Sequence, residues 1–360
     1  MANIKLLATL CPSFPHYAKY SADKRLVDIR FNSAQTDTFE MDKELAILKA
    51  LNPKELPIFD VKGRQLRVVT VNENPEKNLD ITLNHRINVK TPTGVYFKAE
   101  ADFAVLDHLE EDGRRLIFRG GPEKRVKPGE SLHLLDDSLE VFPPWFSDIE
   151  KEKIAKAVAF GFKRFFLSYV ENQAYVDEFL ELVGKDAEVW LKIENKAGLR
   201  YVANEFVKKP NLILVAARGD LFVEVGRPHL ITDALKLIIR KDPEACVGSR
   251  VLLSVIPPPG WREQIMMTRL RKALMTVKNG VLSVDIIKEI LDTKQYNRWE
   301  AQTPSCADFC EMAWLYDIGY RKMMLCDELC LKEELFEAAM NAFDAFRKMH
   351  NKIGRPSYKF

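Results

Sequence analysis

Charged side chains follow two apolar runs in the middle of the chain, at the point where each run ends. The run at 189–193 contains Lys192 and is followed by Glu194, and the run at 214–217 is followed by Asp220 after two further residues. Short, nearly continuous apolar runs are typical of buried parallel strands. If the two strands are neighbours, the two carboxylates could hold Mg²⁺ or Mn²⁺, and the lysine could balance an anionic substrate.

The sequence motifs around these charges are longer, and therefore more specific, than a single Lys-x-Glu pattern. A lone Lys-x-Glu favours solvated charges just beyond a strand. Here the first motif is Lys-Ile-Glu-Asn at 192–195, with Ala-Gly at 197–198. The second is Ala-Arg-Gly-Asp-Leu at 217–221, with Val-Glu-Val at 223–225. They resemble the active-site core of the pyruvate kinase family, and the resemblance extends through most of the chain.

This resemblance implies a Mg²⁺- or Mn²⁺-dependent phosphotransferase that acts on phosphoenolpyruvate or pyruvate and on a nucleotide, ADP or ATP. Lys192 would stabilise charge on a transferring phosphoryl group or on an enolate oxygen. Glu194 and Asp220 would be the metal ligands, and the metal would polarise an oxo or enol oxygen. Arg30 and Arg67 would complete the catalytic set by forking onto phosphate oxygens, although a salt bridge to a nearby acid is an equal alternative for each arginine.

Further binding roles follow from the resemblance and from the expected strand ends. The backbone N–H groups of Gly219 and Asp220, at the start of a helix, would hold the substrate carboxylate. Ser168 would contact phosphate, or its hydroxyl would satisfy a neighbouring backbone group. Pro12 and Asn32 would line the nucleotide site, although a proline in an ordinary turn would look the same as Pro12.

The monovalent-cation site of the family is only half matched. Asn32 and Asp60 stand where the family has two of its cation ligands, but Ala34 and Val61 replace the two hydroxyl-bearing ligands. Gln35 stands where the family has a histidine near the nucleotide. A K⁺ site would rest on Asn32 and Asp60 alone, so we expect activity that is nearly indifferent to K⁺.

Two other functions remain open. The lost potassium ligands and a helical insertion at about 257–302 favour a metal-dependent lyase, aldolase or decarboxylase that acts on a 2-oxo acid through an enolate. The family's threonine on the seventh strand aligns near Val255, with Ser254 as a replacement only if the register shifts. The third function is that of a non-catalytic relative. It is disfavoured by the charged groups retained at strand ends, namely Arg30, Asp60, Arg67, Lys192, Glu194 and Asp220.

Composition and charge restrict the class of protein. The 360 residues are 47% apolar and 29% charged, which suits one large barrel or two to three smaller domains. The formal net charge of +2 is too small to indicate nucleic-acid or membrane-surface binding. No apolar run approaches the roughly 20 residues that span a bilayer, and the amino end lacks a signal-peptide cleavage pattern. We expect a cytoplasmic protein that binds a small anionic molecule, a 2-oxo acid or an enol phosphate; a homo-oligomer remains open.

Six cysteines are scattered through the chain. Four of them form two pairs with a spacing of four residues, Cys306 with Cys310 and Cys326 with Cys330. Such pairs suggest a zinc site, but no histidine accompanies them. Free cysteines are commonly buried in protein cores, so reduced thiols in a reducing cytoplasm are the favoured interpretation.

Apolar strands alternate with helical patterns along most of the chain. This alternation indicates a parallel sheet, and about eight strands suit an α/β fold of the (β/α)₈ TIM-barrel type. Ser147 and Glu150 form the pattern of a capping box at the start of one helix. The barrel strands are expected at 4–10, 26–31, 57–60, 164–168, 189–193, 211–216, 250–255 and 322–326, and the last helix at 332–349.

The stretch from 68 to 142 has a different pattern, with alternating strands separated by turn residues such as Gly113, Gly120 and Gly129. It predicts a small all-β domain inserted after the third strand, where the pyruvate kinase family has its mobile lid. The barrel would then occupy 1–67 and 143–360. The family's separate carboxy-terminal domain is expected to be absent.

Overall fold

The computed structural model describes residues 4–33, 38–72, 78–97, 102–123, 125–257 and 303–352, together with helical positions 267, 270, 271 and 275. The chain divides into two compact units, Met1–Val251 with Trp314–Cys326 and Leu252–Ala313 with Asp327–Phe360. The first unit contains all the described strands. None of the described helices is long and apolar enough to cross a membrane.

Strands and helices alternate over most of the described ranges. The strands are β1 (Lys5–Thr9), β2 (Leu26–Asn32), β3 (Ile58–Val61), β4 (Val68–Asn72), β5 (Asp80–Leu83), β6 (Ile87–Asn88), β7 (Thr93–Phe97), β8 (Asp102–Glu110), β9 (Arg115–Arg119), β10 (Leu132–Leu134), β11 (Glu140–Val141), β12 (Arg164–Leu167), β13 (Glu188–Ile193), β14 (Leu212–Ala217), β15 (Cys246–Gly248) and β16 (Lys322–Met324). The helices are α1 (Tyr17–Ser21), α2 (Thr38–Leu51), α3 (Asp148–Phe160), α4 (Gln173–Val183), α5 (Lys196–Asn204), α6 (Arg218–Glu224), α7 (Ile231–Lys241), α8 (Cys306–Asp317), α9 (Asp327–Cys330) and α10 (Glu333–Lys352).

Eight of the described strands form a closed barrel. Their order around it is β1, β2, β3, β12, β13, β14, β15 and β16, with β16 paired to β1. Every neighbouring pair is parallel. The predicted (β/α)₈ fold is therefore confirmed. Since all eight strands run in the same direction, their carboxyl ends meet at one mouth, which is where barrels of this kind carry their sites.

Apolar side chains fill the interior of the barrel below a polar layer. Because side chains alternate along a strand, Asp60 follows Ile58 on one face of β3, and Lys192 follows Trp190 on one face of β13. In both strands the polar residue is the one nearer the carboxyl end. The apolar layer consists of Leu7, Ile58, Phe166, Trp190, Ile213, Val215, Cys246 and Met324.

The region between β3 and α3 is an antiparallel β structure, as the sequence predicts. Six strands form one sheet in the order β10, β7, β8, β9, β5 and β4, and β6 pairs separately with β11. The sheet has a hydrophobic core of its own, which includes Leu83, Phe97, Leu106, Leu116 and Phe118. The small all-β lid after the third barrel strand is thereby confirmed.

The predicted seventh strand at 250–255 is wrong. The seventh strand is β15, Cys246–Gly248, and the backbone then turns at Ser249 and Arg250, whose φ values are 63° and 59°. A 3₁₀ turn follows at Leu253–Val255. The prediction failed because a short apolar run has the same appearance in a strand, a turn and a buried helix.

Side-chain caps fix the start of several helices. The capping box predicted at α3 is confirmed, because Ser147 accepts from the Glu150 backbone and the Glu150 side chain accepts from the Ser147 backbone. Asn172 and Asn195 cap α4 and α5. Such caps satisfy N–H groups that the first helical turn leaves unpaired. They fix the short loops after β12 and β13, where several predicted site residues lie.

Two further predictions concern residues after position 256. The helical insertion predicted at about 257–302 falls outside the described residues, apart from Pro257 and the four isolated helical positions. Cys306 and Cys310 lie on α8 with their Sγ atoms 3.9 Å apart, and Cys326 and Cys330 are buried.

Candidate active site

Lys192 lies at the centre of a buried group of predicted site residues. Its Nζ atom donates to Ser168 Oγ at 2.9 Å, and it lies 3.0 Å from Glu194 Oε1 and 3.8 Å from Asp60 Oδ1. Burial alone would lower the pKa of Lys192, but the carboxylates of Asp60 and Glu194 outweigh burial and raise it. The ammonium group is therefore a fixed positive charge inside the barrel mouth.

Asp60 is fully buried and surrounded by cations. Its Oδ2 atom accepts from Arg30 Nη2 at 2.5 Å, from Arg30 Nε at 2.9 Å and from Lys62 Nζ at 2.6 Å. Burial would raise the pKa of this carboxyl, but the charges of Arg30, Lys192 and Lys62 hold the pKa well below its usual range. Of the two roles left open for Arg30, the structure therefore shows the salt bridge, with Asp60 as its partner. The Nη1 atom of Arg30 also donates to Thr9 Oγ1 at 3.1 Å.

Lys62 is a site residue to which sequence reasoning assigns no role. It stands two residues beyond Asp60, so an extended chain places both side chains on one face. That alternation is the signal that could have identified it. Burial is the largest effect on its pKa; together with Lys192 and Arg30 it lowers the pKa of Lys62 to about 8, against the opposing effect of Asp60.

Glu194 is the more deeply buried of the two predicted metal ligands. Its Oε1 atom faces Lys192, and its Oε2 atom accepts from the backbone N–H of Tyr169 at 2.6 Å. Tyr169 has a φ of 51°, in a region that is uncommon for residues other than glycine. Burial, reinforced by the negative charge of Asp220, raises the pKa of Glu194 to about 7, although Lys192 opposes this shift.

Asp220 and Gly219 lie in the first turn of α6, directly after β14. The side chain of Asp220 is 26% exposed, so this carboxylate is open to solvent where Glu194 is closed. The described residues contain no group of three histidine, cysteine or acidic side chains arranged to hold a metal ion. Hard divalent cations are often bound by one or two carboxylates with water and substrate oxygens in the other positions. Glu194 and Asp220, whose like charges repel, fit an open site of that kind.

A histidine from the lid reaches the same mouth. His133, on β10, has its Nδ1 atom 2.8 Å from Glu224 Oε1 and its Nε2 atom 3.6 Å from Asp220 Oδ1. Burial would lower the pKa of His133, but the hydrogen bond with Glu224 and the charge of Asp220 raise it. Sequence reasoning misses this residue because nothing in an alternating strand pattern marks one histidine as contacting a helix of the barrel.

Arg67, at the entry to the lid, is held by neutral acceptors. Its Nη1 atom donates to the Gly129 carbonyl and its Nη2 atom donates to Gln65 Oε1, both at 2.6 Å. Burial lowers the pKa of Arg67, while the charges of Asp220 and Asp60 oppose that shift. For this arginine the described contacts therefore leave the predicted role, binding an anionic group, open.

Several buried polar atoms around the mouth have no hydrogen-bond partner among the described residues. They are Oδ1 of Asp60, Nε of Arg67, Nε2 of His133 and Nε of Arg64. Arg64, which sequence reasoning also misses, forms an ion pair with Glu171. Buried polar groups in proteins are normally satisfied. A water molecule or a polar ligand could satisfy these atoms.

The structure gives positions for some of the residues predicted to bind the nucleotide and K⁺, but it does not test those roles. Pro12 is buried in the turn after β1. Asn32, also buried, ends β2 and pairs in register with Asp60. Ala34 and Gln35 lie outside the described residues. The nucleotide and K⁺ roles therefore remain predictions.

Ser254 and Val255 stand near the position of the family's threonine. Ser254 and Val255 lie in a 3₁₀ turn and not on a strand. The Ser254 hydroxyl accepts from the Ser305 backbone N–H at 2.8 Å and also bonds to Asp308. Ser254 therefore contributes to the start of α8.

Comparison with known proteins gives one distant relationship. A pyruvate kinase of Thermoplasma acidophilum is 26% identical over 270 residues, which cover 70% of this chain and 48% of the relative. The chain thus spans about half the length of that relative. No protein-family model matches the sequence.

Proposed function

We propose that the protein is a divalent-metal-dependent phosphotransferase of the pyruvate kinase type, acting on an enol phosphate or its 2-oxo acid and on ADP or ATP. The observation that carries the proposal is the position of Lys192, whose ammonium group is held by Ser168, Glu194 and Asp60 at the barrel mouth. A buried ammonium of fixed position stabilises charge that develops on a transferring phosphoryl group without any rearrangement during the reaction.

The metal would be bound by Glu194 and Asp220. It would supply Lewis-acid activation of an enol or oxo oxygen and would balance the charge of the phosphoryl group. The carboxylate of Glu194 is already oriented by the Tyr169 N–H and the Lys192 ammonium, so little ordering remains when an ion binds. Arg67 would direct its buried Nε toward an anionic group of the substrate.

Arg30 would act through the salt bridge, which is one of the two roles that the sequence leaves open for it. Three of its donor atoms are directed at Asp60 and Thr9. It therefore positions Asp60, which in turn faces Lys192. This arrangement also favours a second function, a lyase or decarboxylase acting on a 2-oxo acid such as oxaloacetate. Stabilising an enolate would require Lys192 and the metal. It would not require Arg30 in addition to Arg67, because there is no phosphate to bind.

One assay separates these functions. Full-length protein is given phosphoenolpyruvate and ADP, or oxaloacetate without nucleotide, each with Mg²⁺ or Mn²⁺, and pyruvate is measured. Nucleotide-dependent pyruvate and ATP formation is the expected result. Pyruvate from oxaloacetate with indifference to nucleotide would replace the kinase by the lyase, and turnover of neither substrate would overturn both.

Two variants test the metal site in the same assay. Glu194→Gln and Asp220→Asn each remove one ligand charge with little change of shape, so both are expected to abolish metal-dependent turnover while the protein stays folded. The matched control is Asp186→Asn, an exposed acid in the loop before β13, at the opposite end of that strand. Full activity in either site variant would contradict the metal assignment.

A further inference from the structure

Two cysteine side chains lie close together at the start of α8. The Sγ atoms of Cys306 and Cys310 are 3.9 Å apart, and both residues are exposed. The other four cysteines of the chain are buried, namely Cys11, Cys246, Cys326 and Cys330. We propose that Cys306 and Cys310 form a reversible thiol–disulfide site, which low-molecular-weight disulfides oxidise and small thiols reduce.

Exposure separates this pair from the other cysteines. Thiol–disulfide exchange requires a thiolate that the second reactant can approach. Burial raises the pKa of the Cys246 thiol to about 12, so this thiol is protonated as well as inaccessible. Cys326 and Cys330 have the same four-residue spacing as Cys306 and Cys310, but both are buried. The site therefore depends on spacing and exposure together.

The position of the pair in the first turn of α8 allows the two sulfurs to meet. Cys306 is the first residue of this helix. Helical Cα atoms four residues apart are separated by about 6 Å, which a disulfide can span. The Cβ atoms, at about 5–6 Å, are farther apart than the roughly 3.8 Å of a disulfide, so the turn has to loosen when the bond forms. Loosening is easiest at a helix end, because the first four N–H groups have no partner within the helix.

The exchange takes two steps. The Cys306 thiolate attacks one sulfur of a disulfide RSSR, so that a mixed disulfide forms at Cys306 and one thiolate RS⁻ leaves. The Cys310 thiolate then attacks the Cys306 sulfur, and the second RS⁻ leaves. The two leaving thiolates take up the two protons that the cysteines release, so the products are one protein disulfide and two RSH. The hydrogen bond with Cys306 raises the pKa of Cys310, and the second step therefore falls to Cys310.

Asp308 lies between the two cysteines and connects the start of α8 to the preceding 3₁₀ turn. Its Oδ2 atom accepts from the Ser305 hydroxyl at 2.7 Å and from the Ser305 backbone N–H at 2.8 Å. The same oxygen accepts from the Ser254 hydroxyl. A disulfide that loosens this turn would weaken these contacts. Exposed or strained disulfides are the ones that thiols reduce readily, so the oxidised state should be reversible.

The test maps the thiols of the full-length native protein. The protein is equilibrated with mixtures of reduced and oxidised glutathione, the remaining thiols are alkylated after denaturation, and the peptides are identified by mass spectrometry. With excess oxidised glutathione the wild type should lose two thiols per chain and gain one bond between Cys306 and Cys310. Dithiothreitol should restore both thiols. Cys326 and Cys330, the buried pair of equal spacing, should remain thiols and are the matched internal control.

A single substitution separates the two steps. Cys310→Ser should lose one thiol instead of two and should stop at the mixed disulfide, with one glutathione attached to Cys306. Amide hydrogen exchange at 305–310 should be faster in the oxidised wild type than in the reduced wild type, and an unchanged rate would overturn the loosening of the turn.

Four results would overturn the site itself. They are the absence of any reaction, glutathione attached to both cysteines without a bond between them, a bond to one of the buried cysteines, and a bond between two chains. Because the peptides are mapped directly, each of these results is distinguished from the bond between Cys306 and Cys310.

Discussion

Lys62 holds its ammonium nitrogen 2.6 Å from Oδ2 of Asp60, the same oxygen that the Arg30 guanidinium contacts at 2.5 Å. Asp60 is one of the two residues that match the monovalent-cation ligands of the pyruvate kinase family. Its carboxylate is already neutralised by side chains, so a bound K⁺ would add positive charge to a site that contains several fixed cations. We therefore expect the ammonium group of Lys62 to take the place of the ion's positive charge.

Turnover is therefore expected to be nearly the same in potassium and in tetramethylammonium salts of equal concentration. The measurement is the metal-dependent rate in both salts at fixed ionic strength, so that general screening is held constant. Lys62→Met, which removes the internal charge, should make the rate respond to K⁺, whereas Lys62→Arg should not. A strong K⁺ requirement in the wild type would contradict this account of Asp60.

Removing the central ammonium group should affect both activity and stability. Lys192→Met is expected to reduce turnover by about 100-fold or more, because the charge that faces the reacting group is lost. The free energy of unfolding should also fall by about 2–4 kcal/mol, since two buried carboxylates lose a common partner. Denaturant unfolding and steady-state rates give both numbers. Lys185→Met, at an exposed position, is the control and should change neither quantity.

The segment between β3 and the lid is held partly by Glu150 of α3, and this contact should make the free energy of unfolding depend on pH. Glu150 Oε1 accepts from the Gly63 backbone N–H at 2.7 Å, and burial raises the pKa of Glu150 to about 7 from its ordinary 4.5. The folded state thus binds this proton more tightly than the unfolded state. The contribution of Glu150 is fully present below the unfolded pKa, and it is lost as the pH rises through the folded pKa.

Urea unfolding at about pH 5 and about pH 8 of the wild type and of Glu150→Gln tests this dependence. Between these two pH values the free energy of unfolding of the wild type should fall more than that of the variant. The difference should be on the order of 1–2 kcal/mol, because the side chain is partly exposed. Equal losses in both proteins would show that Glu150 is not the group responsible.

Gly63 should tolerate no side chain. Its φ is +49°, and an added Cβ would overlap the hydroxyl of Tyr175. Gly120 has a φ of +76° with nothing within 4 Å of the same position, so it isolates the backbone effect from the steric one. Gly120→Ala should cost about 1 kcal/mol, and Gly63→Ala should cost that amount plus about 1–3 kcal/mol for the overlap. Thermal unfolding of the two variants provides the comparison, and equal losses would exclude the overlap.

The barrel and the lid could be predicted because each follows from local patterns. Apolar strands that alternate with helices specify a parallel sheet, and the change to two-residue alternation with glycine turns marks the inserted lid. Lys192 and Glu194 could be placed at the mouth because they follow one buried run. The seventh strand was misplaced because β15 has only three residues and a longer apolar run lies just beyond it.

The part of the site that could not be predicted from the sequence depends on contacts between segments that are distant along the chain. His133 meets Glu224 across 91 positions of the chain, and the pairing of Arg30 with Asp60 joins two neighbouring strands. A pattern within one segment carries no information about either contact. Sequence reasoning could therefore name the charged groups of the barrel but could not decide which of them neutralise each other.

Tyr169 combines an unfavourable backbone conformation with two contacts of the site. Only glycine would adopt its φ of 51° without cost, but glycine would remove the hydroxyl that lies 3.4 Å from His133. A β-branched residue there would increase the conformational penalty and disturb the amide that orients Glu194. A substitution of Tyr169 that raises thermal stability is therefore expected to lower activity. Libraries designed to stabilise the protein should leave Tyr169 unchanged.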